Sequence, residues 1–209
     1  MEGSTNSREE KSFPSGKHRP PCLSPLPIPC PEEDALRSLL ETSGARPLTV
    51  TVRADASLYE TARRVYSVSA LGPVSLLLSG IRSAEAMRNA LATCHECYCD
   101  LYAEGKECNG FFPRGILIDS QHSPALLSSL PWGYDFLSFD CDRLLAELER
   151  ERSDSPKERL RRMLEKHRGI ERRMLCRSVF DAELAELCRS LHVREIYLPP
   201  TLLPLNKFQ

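Results

Sequence analysis

Six short runs of β-branched or apolar residues, each separated from the next by a helical pattern, constrain this chain more than any other feature. They are LTVTVR (48–53), VSLLLS (74–79), GILID (115–119), DFLSF (135–139), the weaker MLCRS (174–178) and EIYL (195–198). Strands this short and this apolar are buried on both faces, which is the habit of parallel sheets covered by helices. Parallel neighbours need a crossover, and the spacing leaves room for a helix in each one. The expected fold class is α/β, a partial or complete parallel β/α (TIM-like) barrel. A closed barrel of eight strands needs two more than these six, and is usually built from about 250 residues. This chain has 209.

The helix signals agree with that alternation. Pro31-Glu32-Glu33-Asp34 puts acids in a first turn, where the helix dipole favours them. Ser57 with Glu60, and Ser155-Pro156-Lys157-Glu158, have the spacing of capping boxes. Ser83 precedes a long helix whose Met87, Ala90, Leu91, Cys94, Tyr98 and Leu101 share a face, and Gly105 ends it. Helical patterns are also expected over Ala125–Leu130, Asp142–Arg150 and Asp181–Leu191.

The first 31 residues differ. They hold seven of the sixteen prolines, including the stretch PPCLSPLPIPCP. Each proline removes an amide donor and fixes φ, so 1–31 is expected to be a disordered Pro-rich tail, with 32–209 as the folded β/α domain. Lys plus Arg is 28 against 29 for Asp plus Glu, a balance that argues against nucleic acid as partner. No apolar run approaches the roughly 20 residues of a membrane span, and Met1–Glu10 is polar, so no membrane partner and a cytoplasmic location are expected. Most of the nine cysteines in such a chain read as reduced thiols.

From Leu58 to Lys207 the order of several blocks resembles the C-terminal, phosphoenolpyruvate-binding domain of enzyme I of the bacterial sugar phosphotransferase system, a β/α barrel shared with pyruvate phosphate dikinase. LGPVSLLLSGIRSAEAM is similar to that family's L-R-I-M-F-P-M-I-S-S-x-E-E strand. YAEGKECNGFFPRGILIDSQHSPALL is similar to its helix end, its strand closing on glutamate and its P-S-A-A-L. DFLSFDCDRLL is similar to D-F-F-S-I-G-T-N-D-L. MLCRSVFD with LCRSLHVREIYLPPTLLPLNK resembles the C-G-E segment and the L-L-G-L-G-V-x-E-L-S-V-S-P-x-x-I-P-x-V-K end.

That resemblance implies a site. Asp119 falls on the family's metal-binding glutamate, so Asp119 and Asp142 become the candidate Mg²⁺ ligands. Cys176 falls on the proton-donating cysteine of C-G-E, and Arg53 is the candidate substrate-binding arginine. Asp142 aligns with the family's asparagine and Arg143 with its metal-binding aspartate, while a one-residue gap puts Asp142 in the metal position. Asp140 replaces a glycine, Ser79 a proline, and Arg177-Ser178 the Gly-Glu after the cysteine. The phosphohistidine domain has no counterpart. The resemblance therefore implies a degenerate, truncated phosphoenolpyruvate-binding domain: a pseudoenzyme or a regulatory and dimerisation module. Its alternative is an active phosphoenolpyruvate- and Mg²⁺-dependent phosphotransferase subunit acting with a separate phosphohistidine domain. Implied partners are phosphoenolpyruvate, a second copy, or other phosphotransferase-system proteins. The Arg143 guanidinium is expected to pair with Asp119 or Asp142 in the cation's place.

Two patterns stand outside that scheme. CHECYC (94–99) puts His95 and Cys99 on one helical face and Cys94 and Cys97 on another, so zinc is weighed against simple core packing. Lys157–Arg173 carries eight Lys or Arg against three Glu and reads as a solvated face. Trp132 is expected to plug the turn before Asp135.

Overall fold

Eight parallel strands form one sheet in the order β1-β8-β7-β6-β5-β4-β3-β2. The structure is a computed structural model and describes residues 21–44, 46–120, 133–150, 155–167, 169–178 and 180–202. The strands are β1 (Cys22–Pro25), β2 (Ile28–Pro29), β3 (Leu48–Arg53), β4 (Val74–Ser79), β5 (Arg114–Ile118), β6 (Phe136–Asp140), β7 (Glu171–Leu175) and β8 (Glu195–Leu198). The described helices are α1 (Glu33–Ser43), α2 (Leu58–Val68), α3 (Ala84–Ala103), α4 (Cys141–Glu149), α5 (Pro156–Lys166) and α6 (Ala182–Ser190). The chain thus folds as the parallel β/α barrel-like sheet that the strand–helix alternation implies.

The sheet's two edges lie on one stretch of chain. β1 pairs with β8 and β2 pairs with β3, and only Leu26 and Pro27 separate β1 from β2. Cys22–Pro29 therefore bridges both edges and curls the sheet round on itself. A hydroxyl–hydroxyl hydrogen bond from Thr49 on β3 to Tyr197 on β8, 3.1 Å, joins the same two strands across the interior.

This overturns part of one expectation. The described end of the supposed tail, 21–31, is not a tether but the closing stave. The prolines are tolerated because β1 and β2 each pair on one side only, so a missing amide on the other side costs nothing. The remaining amides do the pairing: Cys22 N–H donates to Arg194 O (2.9 Å) and Cys30 N–H to Thr51 O (3.2 Å).

Side chains alternate between two cores. Those facing the helices, among them Val50, Val52, Leu76, Leu78, Ile116, Ile118, Leu137, Phe139, Met174 and Ile196, pack with Leu36, Tyr66, Met87, Leu144 and Leu160. Those facing inward are Leu77, Leu117, Phe136, Leu175 and Tyr197, with Leu26 against them. Arg173 lies in this interior. Its guanidinium stacks 3.6 Å from the Phe136 ring centroid, donates to Tyr197 Oη (2.8 Å) and pairs with Glu171 and Glu195. Arg172 is buried too and donates to Leu164 O (3.0 Å). The basic stretch ending at Arg173 is thus not wholly a solvated face, because β7 begins inside it.

The caps are met unevenly. Ser83 Oγ accepts from Ala86 N–H (3.0 Å), and Asp181 accepts from Leu184 N–H (2.8 Å). Ser57 makes no side-chain cap; its N–H and hydroxyl both donate to Asp55 Oδ1. Ser155 makes none either, although Pro156 opens α5 as expected. The expected helix at 125–130 and the Trp132 plug lie outside the described residues. Among the described residues, no helix is long and apolar enough to cross a membrane.

Candidate functional site at the carboxyl-terminal rim

Parallel strands end on the same side, so their last inward residues form a ring. Here that ring is built from Arg53 after Val52, Ser79, Asp119, Asp140 and Arg177, on five successive strands. Asp119 directly follows β5 and Asp140 closes β6; the register pairs Ile118 with Phe139, so the two acids are neighbours across the sheet. The Asp119 side chain is 7% exposed and that of Asp140 is fully buried. Two carboxylates this deep and this close need positive partners.

Three arginines supply them. Arg82, from the loop after β4, grips Asp119 in a fork: Nη1 to Oδ1 at 2.7 Å and Nη2 to Oδ2 at 3.3 Å. Arg143, in the first turn of α4, places Nη1 3.0 Å from Asp119 Oδ2 and Nε 3.8 Å from Asp140 Oδ2. Arg177, after β7, donates from Nη1 to Asp140 Oδ2 at 2.7 Å. The acids are buried while the guanidinium side chains stay 59%, 63% and 46% exposed, so the arginines are held from below and present their outer edges to solvent.

The four sequence-derived site residues come out differently. Asp119 sits at the centre of the rim, and the expected Arg143–Asp119 pair is present. Arg53 is on the same rim, but its exposed guanidinium pairs with Asp55 (3.2 Å) and its stem runs beside Gly80. Asp142 turns to the next loop, accepting from Arg177 N–H (2.6 Å), Ser178 N–H (2.9 Å) and the Ser178 hydroxyl. Cys176 is fully buried on the helix-facing side of β7, in the outer core with Cys141 and Cys188. Leu175 and Arg177 point inward, and strand alternation sends Cys176 away from the rim. Its position is that of a packing thiol, not of a proton donor to a ligand on the rim.

Of the other rim residues, the sequence reading names Asp140 and Arg177 only as departures from the enzyme I pattern, and it passes over Arg82. The pattern in Phe136-Leu137-Ser138-Phe139-Asp140 carries a signal for Asp140, since Phe136 and Asp140 share an inward face two and four residues along. The arginines lie in loops, where no period applies.

Mg²⁺ does not fit this donor set. Both oxygens of Asp119 are engaged by guanidinium, Asp140 is held by Arg177 and by its own cap to Arg143 N–H (3.3 Å), and Asp142 points elsewhere. Among the described residues no group of three or more His, Cys, Asp or Glu is placed to hold a metal ion. That covers CHECYC as well: Cys94 and Cys97 are buried core thiols, and burial raises them to about 11 and about 12. His95 and Cys99 face solvent, 3.6 Å apart.

No family model matches the sequence, and no curated protein matches it. Solved structures do match. A citrate lyase from Burkholderia xenovorans LB400 superposes with a TM-score of 0.61 at 16% identity, over 85% of this chain and 65% of that one. An HpcH/HpaI aldolase from Desulfitobacterium hafniense DCB-2 gives 0.48 at 14% identity, over 84% and 86%. A putative lyase/mutase from Burkholderia cenocepacia J2315 gives 0.40 at 14%, over 88% and 79%. This chain thus spans about two thirds of the citrate lyase it is similar to. The likeness to the citrate lyase is one of fold.

It also corrects the enzyme I resemblance. The structure that superposes at a TM-score of 0.61 is a citrate lyase, not a phosphoenolpyruvate phosphotransferase, so the phosphotransferase-system reading falls, in its degenerate form and its active one. The physical reason is periodicity. Every stave of a parallel barrel reads as an apolar strand, a polar rim residue and a helix cap, so any two such barrels align block by block.

Proposed function

We propose that this chain is a lyase-type β/α barrel that binds a small polycarboxylate through an arginine rim. The observation that carries the reading is the set of Arg82, Arg143 and Arg177, three guanidiniums anchored on two buried acids with their outer edges open. A guanidinium offers up to five N–H donors in a planar fork, and each of these spends part of its set on Asp119 or Asp140. The remaining donors suit carboxylates, which they meet two oxygens at a time. The fold supports the same class: the structure it resembles at a TM-score of 0.61 is a citrate lyase, and citrate carries three carboxylates.

The chain's own residues then do three things. Arg82, after β4, and Arg177, after β7, hold carboxylates of the ligand from the two flanks of the Asp119–Asp140 pair. Asp119 and Asp140 fix the guanidinium planes. Asp142, by tying the backbone of Arg177 and Ser178, fixes the loop from which Arg177 reaches in.

The test is a thermal-shift and NMR titration panel of citrate, a dicarboxylate, acetate and inorganic phosphate. A tri- or dicarboxylate is expected to bind more tightly than acetate by about tenfold or more, about 1.4 kcal/mol. Arg177→Gln is expected to remove most of that preference. Equal, weak binding of all four anions contradicts the proposal.

A further inference from the structure

The Arg82 and Arg177 guanidiniums each serve one acid. Arg143 reaches both, 3.0 Å to Asp119 and 3.8 Å to Asp140. Those acids lie at the ends of neighbouring strands, with Arg143 between them. A cation placed there sees two carboxylates at once, a donor set that in general also suits a divalent ion.

Arg143 is also placed there by the backbone. Asp140 is the N-cap of α4, and its Oδ1 accepts from the Arg143 N–H at 3.3 Å. The third helical residue is the one whose amide reaches back to an N-cap side chain, so the cap sets Arg143 over its own capping carboxylate. The same acid then takes charge from Arg143 through Oδ2. Capping and charge pairing fix one residue twice.

We infer that Arg143 is a resident counter-cation in a two-carboxylate site, and that this rim binds its anionic ligand without a metal ion. The inference rests on the same rim as the proposed function, but it concerns the cation and not the ligand, so the two fail separately. A guanidinium carries one charge where a divalent ion carries two, and Arg82 and Arg177 supply the rest. A metal competing for Asp119 must displace two arginines from it.

The test is Mn²⁺ titration followed by electron paramagnetic resonance, with no organic ligand present. The wild-type chain is expected to bind no Mn²⁺ tighter than about 1 mM at this site. Arg143→Ser removes the bridging charge and is expected to bind one Mn²⁺ at least about tenfold more tightly. Adding Asp119→Asn to that variant is expected to abolish the gain. Arg143→Gln, which keeps most of the side chain's bulk without its charge, repeats the experiment if the serine variant does not fold. Wild-type binding of one Mn²⁺ well below 1 mM that is lost in Asp119→Asn overturns the inference. So does a folded Arg143→Ser or Arg143→Gln that gains no Mn²⁺ affinity.

Discussion

Gly115 and Phe136 face each other in the barrel interior, and only one of them can have a side chain. They are register partners on β5 and β6, and a Cβ on Gly115 would run into the Phe136 ring. That ring is itself pinned under the Arg173 guanidinium, so it cannot swing aside without breaking a cation–π contact and its ion pairs. Gly115→Ala is expected to lower stability by about 1–3 kcal/mol, the usual cost of overpacking, measured as a shift in urea midpoint at unchanged slope. A second residue sets a pH dependence. Burial, with Lys166 and Arg172 nearby, lowers His167 below its ordinary 6.5, and among the described residues its Nε2 has no hydrogen-bond partner. The neutral form is therefore favoured in the fold, and the unfolded chain binds the proton more readily. Stability from this group is complete above about pH 6.5 and declines as pH falls through the folded value. Urea midpoints at pH 7.5 and 5.5 are expected to lie closer together in His167→Gln than in the wild type. At this scale Asp119 entered only through the enzyme I resemblance; the strand pattern by itself marks it as no more than the acid that ends GILID. Arg82 and Arg177 were not legible as rim residues, because which loop residue turns inward depends on the curl of the sheet.

The elements show why local signals succeed or fail. All four strands from LTVTVR to DFLSF are neighbours and parallel, as their apolar content implies. GILID and DFLSF are displaced by one residue, to Arg114–Ile118 and Phe136–Asp140. MLCRS is three residues early, at Glu171–Leu175, since the charged start ERR conceals a strand whose Arg173 is satisfied inside. Ser83 caps α3 and Ser57 does not cap α2, although of the two only Ser57 has a glutamate three residues on. Asp55 is the difference: it takes the Ser57 hydroxyl and amide, and a carboxylate is the better acceptor. Ser83→Ala is thus expected to cost about 1 kcal/mol, and Ser57→Ala less. Chemical denaturation of the two single variants compares them directly; equal losses contradict this account of the caps.

Across the whole molecule, closure depends on the Pro-rich stretch that the sequence reads as a tail. Composition there reports the lack of amide donors, but not that each half needs donors on one side only. A chain beginning at Cys30 loses the strands that pair with β8 and β3, together with Leu23, Leu26 and Ile28 from the two cores. With about 1.5–3 kcal/mol for each fully buried aliphatic side chain, and less for these partly buried ones, the loss is on the order of 3 kcal/mol. At about 2–4 °C per kcal/mol for a domain of this size, calorimetry is expected to show a fall of about 6–12 °C. An unchanged melting temperature contradicts the closed arrangement.

The central claim is that guanidiniums, not a metal, receive the ligand at the rim. Isothermal calorimetry of citrate binding in the presence of a chelator, repeated with excess Mg²⁺, tests it most directly. The account predicts a dissociation constant below about 1 mM, near −4 kcal/mol or tighter, that is the same in both buffers. Arg82→Gln and Arg177→Gln should each weaken it by about tenfold or more. Binding that appears only with Mg²⁺, or that survives both substitutions unchanged, contradicts the account.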